Sequence, residues 1–212
     1  MNKPLILIGG GGHCKSVIEA AESAGYQIMG VLDLPEELGK PVLATKVVGT
    51  DDDIQAYVDK AEFVITVGFI KSPAIRIKLY NRVKEAGGRL ATIIASTAYV
   101  SKYATIGEGT VVMHHAFINA GAKVGANVIL NTFTNVEHDA VIGDQCHIST
   151  GTMVNGECVV GERCFIGSQS VLANGITVGD DIVVGAGSLV RKSISQKGIY
   201  SGNPAILKIK AK

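Results

Sequence analysis

From Val100 to Val190 every sixth residue is aliphatic: Val100, Ile106, Val112 and onward, sixteen positions that are all Val, Ile or Leu. Four residues after each, the side chain is usually small, as at Ala104, Thr110, Ala116, Ala122, Thr134, Ala140, Cys146 and Thr152. A period of six is neither the helical 3.6 nor the simple alternation of a strand. It is the signature of a parallel β-helix built from hexapeptides. Each hexapeptide supplies a short strand and a corner, and three close an eighteen-residue triangular coil with the aliphatic side chain inside. Fifteen hexads then make five coils, a prism ~24 Å tall at the usual strand spacing. One coil cannot bury its own inner face, so the stack forms cooperatively. The residue after the aliphatic is often Gly or Asn (Gly107, Asn119, Gly125, Asn131, Gly143, Gly161). Such residues tolerate positive φ, which places them at the corners in this reading.

The N-terminal residues have a different grammar. Leu5–Ile8 reads as a short strand, 9–13 as a glycine loop ending in His13, and 16–25 as a helix with Val17, Ile18, Ala20, Ala21 and Ala24 on one side. A strand over 26–32 ends at Asp33. A helix over 53–60, a strand over 63–67, a helix over 75–86 and a strand over 90–94 follow. This alternation predicts a small parallel Rossmann-like sheet, so the chain divides into an α/β domain, 1–95, and a β-helix domain with a C-terminal extension, 96–212. The run Gly9-Gly10-Gly11-Gly12 lacks the G-x-G-x-x-G spacing of a dinucleotide fingerprint. It still lets backbone approach a phosphate at a helix N-terminus, and Asp33 stands where ribose or base contacts are made in such sheets.

A formal net charge of +1 gives no electrostatic footprint for a nucleic acid. No apolar run reaches the ~20 residues of a membrane span, and the start of the chain does not read as a secretory signal. The four cysteines include no C-x-x-C pair. Cys146, Cys158 and Cys164 fall at small inward hexad positions. Cys146 and Cys164 would stack in adjacent coils within reach of a disulfide, but a cytoplasmic chain is expected to keep them reduced.

The strings LILIGGGGHCKSVIEAA, VLD, VITVGFIKSPAIRIKLY, NVEHDAVIGDQCHIST and GIYSGNPAILKI together resemble the hexapeptide-repeat sugar acetyltransferases related to the sialic acid O-acetyltransferase and the bacillosamine-pathway N-acetyltransferase. The resemblance implies a left-handed prism, the exception to the usual right-handed crossover. It implies a homotrimer with acetyl-CoA in a groove between neighbouring subunits, and a nucleotide-linked sugar held partly by the first domain. It implies that His138 is the general base, with Asn131, Glu137, Asp139 and His147 around the reacting groups. By the same resemblance, Gly10, Gly11, Gly12, His13 and Asp33 meet the nucleotide sugar, and His147, Gly156, Ser168 and Ala186 line the path of acetyl-CoA. No metal is expected. The chain departs from the family pattern at Asp139, where relatives acting on amino sugars often carry Glu, and at Leu34, where some have a second acid after the equivalent of Asp33.

The chemistry suits these residue types. A sugar amine or hydroxyl attacking a thioester must lose a proton, and histidine titrates near working pH. A carboxylate on the other ring nitrogen orients the imidazole and stabilises its cation. His138 follows an inward position by two residues, which puts it near a corner, where strict alternation breaks and one acid can reach it, Asp139 being the first expectation and Glu137 the second. His114 and His115 read as corner residues without a chemical role. The leading expectation is N-acetylation of a nucleotide-linked, UDP-linked 4-amino sugar in the cytoplasm; the alternative is O-acetylation of a sialic acid or related sugar. Two other classes stay open here: a metal-dependent hydratase, whose histidine spacing this chain does not reproduce, and a non-catalytic sugar-binding trimer.

Overall fold

The computed structural model describes residues 3–210, with side-chain surroundings through Lys208. In the N-terminal unit, β1 (Leu5–Ile8), β2 (Ile28–Leu32), β3 (Pro41–Val42), β4 (Thr45–Gly49) and β5 (Glu62–Ile65) form one sheet in the order β3-β4-β2-β1-β5. β1 pairs in parallel with β2 and β5, and β2 with β4, whereas β3 folds back antiparallel on β4. The β3–β4 hairpin was not legible in the sequence: Pro41–Val42 is too short to show a period. The two long helices are α1 (Gly12–Ser23) and α2 (Ala74–Glu85). α1 starts four residues earlier than the sequence suggests, so His13 lies in its first turn and not at the end of a loop. The helix expected over 53–60 is a 3-10 turn over Asp51–Ala56: Thr50 and Asp53 form a capping box that starts it two residues early, and the segment passes into turns from Tyr57. β1 is buried on both faces, one packed under α1 with Val17 and Ile18, the other with Leu79 and Val83 of α2.

The hexads form three walls of stacked parallel strands, in sheets of eight, six and five; the eight-stranded sheet also takes in the C-terminal strands Gly198–Ser201 and Ile206–Lys210, which pair antiparallel with each other. Most strands are two residues long, and partners are eighteen apart, as in Ile118↔Val136↔Val154. The aliphatic column from Val112 to Val190 is 0–5% exposed and fills the prism. The small inward residues do more than fit. Thr110, Cys146, Thr152, Cys158, Cys164 and Ser170 each donate a side-chain hydrogen bond to the carbonyl fifteen residues on, at 2.8–3.1 Å. The cysteines therefore hold the place that Thr and Ser hold elsewhere, and all four are buried free thiols.

The corner chemistry differs from expectation. Positive φ falls three residues after the aliphatic, not one: His115, Asn127, Phe133, Asp139, Gln145, Glu157, Arg163, Gln169 and Asp181 adopt it, alternating with Gly109, Gly121, Gly151, Gly175 and Gly187. The glycines directly after the aliphatic serve another purpose. A Cβ on Gly107 would lie 2.5 Å from Gly125 C, and one on Gly143 would lie 2.7 Å from Gly161 C. They are glycine because the next coil's backbone occupies the space of a side chain.

The strand Ile93–Ile94 already pairs with Val111–Val112 of the eight-stranded wall, and the rest of the expected strand over 90–94 is reduced to one bridge between Leu90 and Phe63. The N-terminal unit covers the outer face of this wall, burying Val111, Met113 and Ile129. Arg76 of α2 rivets the joint. Fully buried, it donates to Ile65 O (2.8 Å) and Val67 O (2.7 Å) at the end of the sheet and to Asn127 O (3.1 Å) and Oδ1 (2.6 Å) on the prism.

Candidate active site

His138 occupies the corner between the six- and five-stranded walls and is exposed, as its hexad position requires. Its Nδ1 lies 3.0 Å from Oδ2 of Asp139. A carboxylate only accepts, so Nδ1 carries the proton and Nε2 presents a lone pair. The neighbour can reach the ring because Asp139 adopts φ +58°, a left-handed conformation that Asp tolerates and that folds its carboxylate back along the corner. The Asp139 hydrogen bond raises the His138 pKa above the ordinary histidine value, and the charges of Asp139, Glu137 and Glu157 add to the effect. Glu137 faces elsewhere. Its oxygens accept from Asn119 Nδ2 (2.7 Å) and Asn135 Nδ2 (2.9 Å), and these amides, Asn135 first, lower its pKa.

Gly156, expected along the acetyl-CoA path with Ser168 and Ala186, stands one coil above His138. A Cβ there would lie 2.6 Å from His138 Nε2. The bare backbone of Gly156 thus floors the lone-pair edge of the imidazole.

A second cluster lies on the eight-stranded wall. A groove of about 490 Å³ is lined by His147, Ser149, Phe165, Ser168, Ala186 and Ile70, among others. His147 donates from Nδ1 to Phe69 O (2.8 Å), and its ring stands edge-on to Phe165 and Phe69, 5.2 and 5.7 Å between centroids. Burial drives its pKa down to about 4 against the opposing Phe69 bond, with Arg76 contributing. His147 is therefore neutral, and its buried Nε2 has no partner among the described residues. His13 reaches over from α1, its ring centroid 6.3 Å from that of His147. Burial, then Arg76 and His147, lowers its pKa to about 3. Asn131 stands one coil before Ser149 and is not among the residues lining this groove; its Oδ1 accepts from Thr132 N (2.8 Å).

The glycine loop and Asp33 form a third cluster. A cleft of about 280 Å³ opens at the C-terminal ends of β1 and β2, lined by Gly9, Asp33, Leu34, Asp51, Ile75 and Lys78, among others. The four glycines have distinct causes. A Cβ on Gly9 (φ +105°) would overlap Val67, and one on Gly10 would lie 2.7 Å from Asp33 Oδ2. Around Gly11 and Gly12 there is nothing within 4 Å, so packing does not demand glycine there. No side chain caps α1 and no acid sits in its first turn, so no side chain competes for its first N–H groups. Asp33 accepts from Gly10 N (2.7 Å) and Leu34 N (2.9 Å) and so fixes the loop.

Sequence reasoning gave no role to Arg76, Phe69 or Phe165: Phe69 and Arg76 lie in the string VITVGFIKSPAIRIKLY, but nothing local shows that they fill the joint between two units. His114 binds Thr97 Oγ1 (2.8 Å) and His115 stacks on Phe133, 4.9 Å between centroids. Among the described residues no cluster of three His, Cys, Asp or Glu side chains could hold a metal, and no helix is long and apolar enough to cross a membrane.

Two family models match: the PglD N-terminal domain over residues 4–83 and the hexapeptide repeat of succinyl-transferase over 158–192. PerB from Caulobacter crescentus, solved with CoA and GDP-perosamine, is 31% identical, covers 97% of each chain and superimposes with a TM-score of 0.90. A variant of the GDP-perosamine N-acetyltransferase from the same organism, also with CoA and GDP-perosamine, is 31% identical over 97% of this chain and 96% of that one, with a TM-score of 0.91. The acetyltransferase domain of PglB from Neisseria gonorrhoeae, in complex with acetyl coenzyme A, is 30% identical over 98% of this chain and 100% of that domain, with a TM-score of 0.90. No curated protein sequence matches the chain. The fold is an α/β unit followed by a left-handed parallel β-helix, and the chain belongs to the hexapeptide-repeat sugar acetyltransferases.

Proposed function

We propose that this acyltransferase moves an acetyl group from acetyl-CoA to the amine of a nucleotide-linked sugar, with His138 as general base. The observation that carries the reading is the oriented imidazole: Nδ1 bonded to Asp139, Nε2 over Gly156 and open to solvent. Acetyl-CoA supplies the thioester carbonyl that the amine attacks. His138 Nε2 takes the proton that the amine sheds, and Asp139 stabilises the resulting imidazolium. In this reading the backbone N–H of Gly156, whose missing side chain leaves room beside the ring, serves the developing oxyanion. The His147 ring, held by Phe69 O, lines the groove that Ser168 and Ala186 border and that takes the acetyl-CoA arm in this reading.

Residues 1–95 hold the nucleotide sugar in this reading, with Gly11 and Gly12 giving backbone to a phosphate and the Asp33 cleft taking the nucleoside; 96–212 hold acetyl-CoA. The His138 corner and the His147 groove belong to different walls of one prism. A homotrimer, packing the corner of one copy against the groove of the next, unites them. The exposed apolar column Tyr99, Phe117 and Met153 on the six-stranded wall supports such packing. The solved relatives bound to GDP-perosamine favour N- over O-acetylation. We propose a nucleotide-linked 4-amino sugar as the acceptor, with the UDP-linked form expected from the sequence set directly against the GDP-linked form that the relatives bind. Thiol release from acetyl-CoA is measured against a panel of UDP- and GDP-linked amino sugars and sialic acids. Turnover on an amino sugar that falls ~10²–10⁴-fold in His138→Ala, with acetyl-CoA binding by calorimetry intact, is the expected result. Undiminished turnover in that variant refutes the assignment of the base.

A further inference from the structure

We propose that Gly121 is a positioning residue for the catalytic pair: lacking a side chain, it leaves the space in which the Asp139 carboxylate turns onto His138. The inference rests on His138 being the base. Gly121 lies directly beneath Asp139, one coil earlier, and a Cβ built on it would overlap Oδ1 of that carboxylate. The other oxygen, Oδ2, makes the 3.0 Å bond to His138 Nδ1. A methyl group at 121 therefore swings the carboxylate off the ring.

The obvious rival explanation is backbone conformation, since Gly121 has φ +76°. It does not suffice. Nine non-glycine residues of the prism adopt the same left-handed conformation at the equivalent corner position, so the column does not require glycine. Of its five glycines, Gly109 and Gly151 would place a Cβ no nearer than 3.3 Å to any neighbour, and Gly175 and Gly187 have nothing within 4 Å of that position. Gly121 alone has no room, and what fills the room is the carboxylate that orients the imidazole. Because that carboxylate can rotate into solvent, the overlap is relieved by losing the His138 contact, not by opening the coil.

The test compares Gly121→Ala with Gly175→Ala, which carries a similar φ (+68°) in open space, and with Asp139→Asn. His138 is titrated by NMR, a readout independent of turnover, and kcat/KM is measured against pH. In Gly121→Ala the His138 titration and the acid limb of the rate profile should both move to lower pH, as in Asp139→Asn. The plateau should fall about tenfold to 10²-fold, the scale of a misplaced catalytic group. Adding Gly121→Ala to Asp139→Asn should cost little more, and Gly175→Ala should keep the parental titration and rate. A parental His138 titration in Gly121→Ala, or equal losses in Gly175→Ala, overturns the inference. If the titration moves but turnover ignores His138→Ala, the contact stands and the assignment of the base fails. Should Gly121→Ala not fold, the double variant with Asp139→Gly removes the overlapped carboxylate: recovery of folding supports the overlap, and none refutes it.

Discussion

Gly143→Ala tests the rule that glycine after the aliphatic exists for space. A Cβ there would stand 2.7 Å from Gly161 C, 2.8 Å from Glu162 N and 2.9 Å from Gly161 O. Comfortable carbon contacts begin near ~3.5 Å, so the next coil must move by most of an ångström. All three obstacles are backbone, and the hydrogen bond from Gly143 N to Val160 O (2.8 Å) ties the same coils together. Overpacking of this kind costs about 1–3 kcal/mol, and a weakened ladder bond adds about 0.5–1.5 kcal/mol. The sum is about 2–4 kcal/mol. Gly175→Ala, at the left-handed corner in open space, should cost only the conformational term, about 1–2 kcal/mol. Urea unfolding by circular dichroism at fixed protein concentration gives both values, with the slope checked for constancy. Equal losses in the two variants, or a larger one at 175, would refute the division of the prism's glycines into space-givers and turn-formers.

Two further outcomes follow from the joint between the units. His13 and His147 are neutral in the native state, held at about 3 and about 4 by burial, while the unfolded chain protonates both below ~6.5. Stability should therefore fall as pH drops from about 6.5 toward 4, because the unfolded state then binds more protons. His147→Phe should flatten that slope in urea midpoints measured across the window; an unchanged slope would show that His147 is not buried neutral. Arg76→Met should destabilise by about 3–5 kcal/mol, since Val67 O and the Asn127 side chain lose a buried partner at about 1–3 kcal/mol each and charge-assisted bonds are lost with them. Arg76→Lys should not restore the loss, one ammonium being unable to span four acceptors in a fork; a cost under 1 kcal/mol for either variant in urea unfolding would argue against the rivet.

The prism was legible because its code is local. A residue's wall and coil follow from its number alone, so the exposed corner at His138 and the stacking of Cys146 on Cys164 could be read by counting in sixes and eighteens. What counting could not give was the reason for each glycine. Composition shows Gly107 and Gly121 as the same letter, and only coordinates show one pressed by backbone and the other by a carboxylate. Likewise the period located His138 at a corner but could not choose between its acidic neighbours. That choice depends on the φ of Asp139 and on the two asparagines, Asn119 and Asn135, that hold Glu137.

The N-terminal contribution was legible only as far as its strand–loop–helix order. His13 read as a loop residue facing a nucleotide, yet it lies in the first turn of α1 against His147, 134 positions away in the sequence. Such a contact has no period to betray it. It exists because the N-terminal unit is laid on one wall of the prism by Arg76 and by the apolar seam of Ile93, Val111 and Met113. That placement puts Ile70 and Lys71 on the rim of the His147 groove while His138 looks out from another corner of the same prism. In the proposed trimer the His138 corner and the His147 groove of one site come from different copies, so a variant that weakens the Tyr99–Phe117–Met153 column should lose turnover on dilution while keeping its folded spectrum. Turnover per subunit that stays constant across dilution, in a variant shown to be monomeric, would mean that one subunit holds a complete site.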